Sequence, residues 1–299
     1  MADLPPIEQM EFGEILDGAL SLFRRHFPLF LKLSLAVLWV PVVLGLYWRV
    51  RFFGVEATTP EETLAVLQNQ IVPLVLWTLV FGIFYLCAML LLTAGSIRII
   101  SDSYLGREPE FGAVWRFGFG KIVPLFLVGL GKGLLLMLVG MVCLFVGAIV
   151  VAVAKGLGTA IVALAVLGLF VGSIWAVLFI ACGYMVTTPA VVLERLSSAF
   201  DSFGRSWELT RGAKLRMLGL ALVGWLISSL LPTIVVQAVG ALVVELIPGA
   251  QLYWTIVGSV LPIMLAPILP CILTLAYYDL RVRREGFDLQ LLSEQLGAT

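Results

Sequence analysis

The chain has 299 residues, of which 61% are hydrophobic and 13% charged, and its nineteen basic residues balance nineteen acidic ones. A soluble domain is nearer ~45–50% apolar and ~25% charged, so this composition, with a mean hydropathy of +1.07, excludes a water-soluble globule. The zero net charge excludes a global basic surface for nucleic acid.

Residues 1–27 carry Asp3, Glu8, Glu11, Glu14 and Asp17 ahead of any long apolar run. A cleavable signal opens on a basic region instead, so the chain is expected to begin in the cytoplasm. Within this stretch Phe12, Ile15, Leu16, Ala19 and Phe23 share one helical face, opposite Glu11, Glu14, Asp17 and Arg24. The first apolar run, 28–48, is long enough to cross ~30 Å of hydrocarbon as a helix. A polar loop follows. In it Thr59-Pro60-Glu61-Glu62 forms a capping box that predicts a short helix running from Pro60 into the second span, 71–97. A second amphipathic segment, Glu110-Phe111-Gly112-Ala113-Val114-Trp115, leads to spans at 122–153 and 159–187. A third occupies 190–211. There Leu196, Phe200, Phe203 and Trp207 form an apolar face, and Asp201, Arg205, Glu208 and Arg211 are spaced for a ladder of ion pairs. Such a segment can lie among headgroups or pack on the ends of the spans; its acids favour packing. The last spans are 217–247 and 253–278, the latter kinked by Pro262, Pro267 and Pro270.

All six runs are continuous rather than alternating, so the fold class is all-α: a polytopic membrane protein with six transmembrane helices and three amphipathic interfacial helices. Fifteen Lys and Arg flank one side of the spans and three (Arg49, Arg51 and Lys155) the other, which predicts that both termini are cytoplasmic. Phe12-Gly13 and Phe111-Gly112 each precede a Pro-Leu-Phe-Leu at the start of a span, at 28–31 and 124–127. A pseudo-threefold repeat over 11–105, 106–188 and 189–280, followed by a tail at 281–299, is the reading of this single membrane domain. Repeats can frame a site at their interface, or be duplications with structural consequences alone.

Lys132 is the one formal charge inside a span, and a charge there calls for a partner or water. It is a candidate contact for an anionic headgroup or substrate; the alternative is a lysine near the interface of a long, tilted helix. Gly129, Gly131 and Gly133 beside it, and Gly168 with Gly172, permit close helix packing. Arg98 with Asp102, and Asp279 with Arg281, are candidate span-end ion pairs. Arg205, Glu208 and Arg211 are a candidate cytoplasmic interaction face that can bind lipid phosphates, dock a partner, or simply fix one helix. Cys87, Cys143, Cys182 and Cys271 each sit in an apolar run and read as small buried residues, with neither disulfide nor zinc spacing. His26 is the single histidine and has no obvious metal-binding partners. No cofactor is expected.

Several stretches resemble the bacterial family defined by the membrane domain of glycerophosphoryl diester phosphodiesterases, which also occurs as a stand-alone multi-span protein. They are Phe12-Gly13-Glu14-Ile15-Leu16-Asp17 with Arg24-Arg25-His26-Phe27, Thr188-Pro189-Ala190-Val191-Val192-Leu193-Glu194, and Arg205-Ser206-Trp207-Glu208-Leu209-Thr210-Arg211-Gly212. Tyr277-Tyr278-Asp279-Leu280-Arg281 and Glu285-Gly286-Phe287-Asp288-Leu289 complete the likeness, which covers essentially the whole chain. The soluble phosphodiesterase domain and its metal ligands are absent, so the resemblance implies no hydrolase activity. The expected function is a non-enzymatic scaffold or accessory subunit of the bacterial inner membrane, in contact with membrane lipids and with a protein partner at the cytoplasmic face. The alternative is a transporter or lipid-handling protein that uses Lys132; membrane shaping by the interfacial helices is a third and weaker reading.

Overall fold

The computed structural model describes residues 9–53, 71–247 and 251–287. The described residues are mostly helical, joined by short turns, and none of them forms a strand. In chain order the helices are α1 (Phe12–Arg25), α2 (Phe27–Phe53), α3 (Ile71–Tyr104), α4 (Phe111–Ala154), α5 (Thr159–Gly183), α6 (Thr187–Leu193), α7 (Asp201–Thr210), α8 (Lys214–Trp225), α9 (Leu231–Leu246), α10 (Gln251–Leu265) and α11 (Ile268–Glu285). Six stretches among them are long and apolar enough to cross a membrane: Phe27–Tyr47, Ile71–Tyr104, Phe111–Ala154, Thr159–Leu193, Lys214–Leu246 and Val260–Glu285. The protein is an all-α, polytopic, multi-pass membrane protein. The capping box at Thr59 lies outside the described residues.

Local chemistry sets the boundaries. The second amphipathic segment is the opening of α4, which runs without a break through the third apolar run; Pro124 is inside it. The third amphipathic segment divides into α6 and α7. Ser198 and Asp201 cause the division: the Asp201 carboxylate accepts the Ser198 N–H at 2.8 Å and so fixes a fresh helix start. The fifth span holds a π-turn, Leu226–Leu230, in which the Leu231 N–H reaches back to the Leu226 carbonyl. It stands just before Pro232, whose missing N–H already interrupts the α-helical ladder. The last span breaks between α10 and α11 at Ala266 and Pro267, where the clustered prolines predict a kink.

The chain divides into two compact units. The first holds the described residues between 13 and 122 and between 221 and 275. Its core draws Ile15, Ala19, Leu22 and Phe23 from α1, Phe30, Leu33 and Leu38 from α2, Leu92, Ile97, Ile99 and Ile100 from α3, and Cys271, Ile272 and Leu275 from α11. The α1 residues fall on one face because they recur at helical spacing, while Glu11, Glu14 and Asp17 stay exposed. Gly95 lets α2 close on α3, since a Cβ there would lie 2.7 Å from Leu33. Here His26 interrupts the helix between α1 and α2, and its carbonyl accepts the N–H groups of Leu29 and Phe30. Burial and the neighbouring Arg25 lower its pKa against an opposing pull from Glu108.

The second unit holds residues 9–12, 123–220 and 276–287. None of the most apolar stretch of α4 or of α5 is buried within the protein, as expected where hydrocarbon is the solvent. Gly131 packs against Phe200 and Phe203, whereas Gly129, Gly133, Gly168 and Gly172 have open space where a Cβ would go. The tightest glycine in this part of the chain is one the spacing patterns miss: a methyl on Gly183 would overlap the indole of Trp207. Cys182 is buried here and Cys271 in the first unit, but Cys87 is exposed and Cys143 half-exposed, contrary to the expectation that all four are buried. Both faces of an apolar span are apolar, so sequence alone does not say which side a cysteine takes. Gly183→Ala is expected to cost ~1–3 kcal/mol, because the ring has nowhere to go, and Gly168→Ala less than ~0.5 kcal/mol, both read as thermal unfolding in detergent.

Candidate functional site

The polar residues of the second unit collect where α5 ends. The last carbonyls of a helix lack intrahelical partners. Here the Gly183 carbonyl accepts Ser206 Oγ at 2.8 Å and Thr210 Oγ1 at 3.1 Å, both from α7. The buried face of α7 is therefore Ser202, Ser206, Leu209 and Thr210. The apolar face read from sequence is only partly covered: Leu196, Phe203 and Trp207 are half-buried, and Phe200 is 53% exposed. Ser206 and Thr210 took the inner face because they satisfy the end of α5, while Ser202 on the same face donates to the Ala199 carbonyl.

Two charge clusters fix this end. In the first, Arg205 Nε donates to Glu194 at 2.9 and 3.1 Å, and the same guanidinium pairs with Glu285. The Tyr277 hydroxyl donates to Glu194 Oε1 at 2.6 Å, and Arg281 Nε donates to Glu285 at 3.0 Å. The bonds to Glu285, then Glu194, raise the pKa of Arg205 against its burial, so it stays charged. In the second cluster, the Asp279 side chain is 2% exposed and receives three donors. These are the Met10 N–H at 2.9 Å, Arg216 at 2.9 Å and Arg283 at 3.0 Å. The Met10 carbonyl in turn accepts from Arg283 at 2.7 Å and from Arg216. One carboxylate thus ties residues 9–12 to the start of α8 and the end of α11.

The residues singled out in the sequence are placed as follows. Arg98 and Asp102, in the first unit, pair within α3 at 2.7 Å, and the Arg98 guanidinium lies 5.0 Å from the centre of the Phe117 ring. Asp279 and Arg281 do not pair with each other; Arg281 turns to Glu285, four residues on. The ladder across Asp201, Arg205, Glu208 and Arg211 does not form, because Arg205 turns inward to Glu194 and Glu285. Glu208 and Arg211 are exposed. Lys132 Nζ donates to Thr188 Oγ1 at 3.1 Å and forms no ion pair among the described residues. Sequence reasoning missed Glu194, Tyr277, Arg216 and Arg283 as partners. Their signal was the scarcity of acids: between 189 and 287 only six occur, and three of them, Glu194, Asp279 and Glu285, hold the clusters together.

Beside the second cluster lies a cleft of about 810 Å³, walled by Phe179, Trp207, Lys214, Leu215 and the arginines 211, 216, 283 and 284. Lys214 Nζ sits 3.3 Å from the Phe179 ring centre and 3.5 Å from that of Trp207. Gly212, at φ +80°, makes the turn that brings Arg211 and Lys214 to one wall, and Arg284 reaches across to the Arg211 carbonyl. Among the described residues, no three His, Cys, Asp or Glu side chains are grouped to hold a metal ion. Comparison with known protein families, with curated proteins and with solved structures finds no match.

Removing the charge of Asp279 leaves two arginines facing a buried neutral group. Asp279→Asn is expected to cost ~3–5 kcal/mol of stability, while Glu208→Gln changes it by less than ~0.5 kcal/mol, both measured as unfolding in detergent.

Proposed function

We propose that the protein is a non-enzymatic scaffold or accessory subunit of a bacterial cytoplasmic membrane, related to the membrane-domain family of the glycerophosphoryl diester phosphodiesterases. The observation that carries this reading is the pairing at the charged end of the second unit. Glu194, Arg205, Tyr277, Glu285, Asp279, Arg216 and Arg283 are engaged with one another and hold helix ends in place. Such a layer is a rigid polar platform, and Arg195, Asp201 and Glu208 stand exposed on it for a partner protein. The Lys and Arg imbalance supports placing this platform, and both termini, on the cytoplasmic side. A photo-crosslinker at position 208, irradiated in native membranes, is expected to trap discrete protein adducts; a ladder of random adducts, or none, overturns the scaffold reading. Reporter fusions at the C-terminus are expected to be active only in the cytoplasm.

A second reading is favoured by Lys132, a cation within a span whose one hydrogen-bond acceptor among the described residues is neutral. A charge so placed stabilises a bound anion, which supports transport or lipid handling. On this reading Lys132→Met abolishes anion-dependent flux in proteoliposomes. Unchanged flux and lipid retention sink it.

A further inference from the structure

The cleft beside Asp279 is not explained by a scaffold role. Five cations line it, and a single carboxylate, that of Asp279, answers two of them, Arg216 and Arg283. The other three, Arg211, Lys214 and Arg284, form no ion pair among the described residues. Glu208, on the preceding helix, is exposed and does not line the cleft. Lys214 is held in place by the rings of Phe179 and Trp207, which position its ammonium without neutralising it. The volume falls within the ~300–1,000 Å³ of ordinary ligand pockets.

We propose that this cleft binds the phosphate of an anionic phospholipid headgroup, gripped by Arg211, Lys214 and Arg284. Two forked guanidiniums and an ammonium suit a phosphate rather than a cation or a neutral polar group. The apolar side of the cleft selects a lipid over free phosphate. Leu215 is 85% exposed and Phe179 40% exposed, next to the cations. A headgroup held there lays its acyl chain along those side chains, which a soluble phosphate leaves bare to water. Trp207 lines the same cleft, and an indole suits a boundary between headgroups and hydrocarbon.

The test uses the full chain in phosphatidylcholine nanodiscs that carry a small fixed fraction of phosphatidylglycerol, with retained lipid read by native mass spectrometry. Wild type is expected to retain phosphatidylglycerol above its bulk fraction. Each basic residue lost at such a surface weakens anionic-lipid binding roughly fivefold, so Lys214→Gln with Arg284→Gln loses roughly 25-fold. Arg211→Gln loses roughly fivefold, and its side chain makes no contact whose loss unfolds the protein, so it carries the test if the double variant does not fold. Lys155→Gln, which alters an exposed cation outside the cleft, keeps wild-type retention. Millimolar inorganic phosphate leaves the lipid in place. Equal retention by wild type and Arg211→Gln overturns the site, and so does wild-type retention no higher than the bulk fraction. Displacement by inorganic phosphate overturns the lipid as its occupant.

Discussion

A carboxylate with almost no exposure has to be matched by donors, and in the second unit Asp279 is matched by three. They come from the N-terminal strip, the start of α8 and the end of α11. Met10 and Asp279 are 269 residues apart in the chain. Helices in lipid gain little hydrophobic free energy by touching, because the acyl chains are as apolar as leucine. Which helix ends meet is then decided by groups that hydrocarbon cannot satisfy. Asp279 does this for one set, and Glu194 with Glu285, joined through Arg205, does it for a neighbouring set. A half-satisfied version of either cluster is worse than an apolar patch, since each leftover charge keeps its desolvation cost.

The same logic operates without charge at the end of α5. The Gly183 carbonyl has no partner in its own helix, so α7 turns its hydroxyls to it, and the absence of a side chain on Gly183 lets Trp207 lie against the backbone. Capping and close packing are here one arrangement. It also sets Trp207 in place to hold Lys214, so a helix end, an indole and a cation form a chain of consequence that starts from an unpaired carbonyl.

The class of the fold was legible because it rests on bulk properties: six long apolar runs and few charges. The break in the last span was legible because proline acts through its own missing donor. What was not legible lies where two periodicities compete. In α7 the apolar positions and the hydroxyl positions both recur at helical spacing, and helical spacing does not say which face turns inward. The outcome depended on Gly183, which is remote in sequence and carries no side chain to signal its need. Arg205 likewise had acids at i−4 (Asp201) and i+3 (Glu208), yet turned to Glu194 and Glu285, which share its low-dielectric surroundings. A glycine pattern such as Gly168 with Gly172 is visible in sequence, but it faces open space, because small residues permit a close approach without requiring one.

The π-turn at Leu226–Leu230 alters the phase of the fifth span. It accommodates one more residue per turn than an α-helix, and one residue is about 100° of rotation. Every side chain of α9 is therefore turned by that angle from where a helical wheel drawn from α8 would put it. Buried Gly240 meets Trp254, whose indole N–H donates to the Val236 carbonyl at 2.8 Å, only in that rotated frame. Loss of a single residue within the π-turn straightens the span to a regular α-helix and leaves this contact in its present phase. Loss or gain of one residue elsewhere along α9, with no π-turn to absorb it, turns everything beyond it by about 100°. The length of this span is thus open to a one-residue change at the π-turn, while its angular register is held everywhere else.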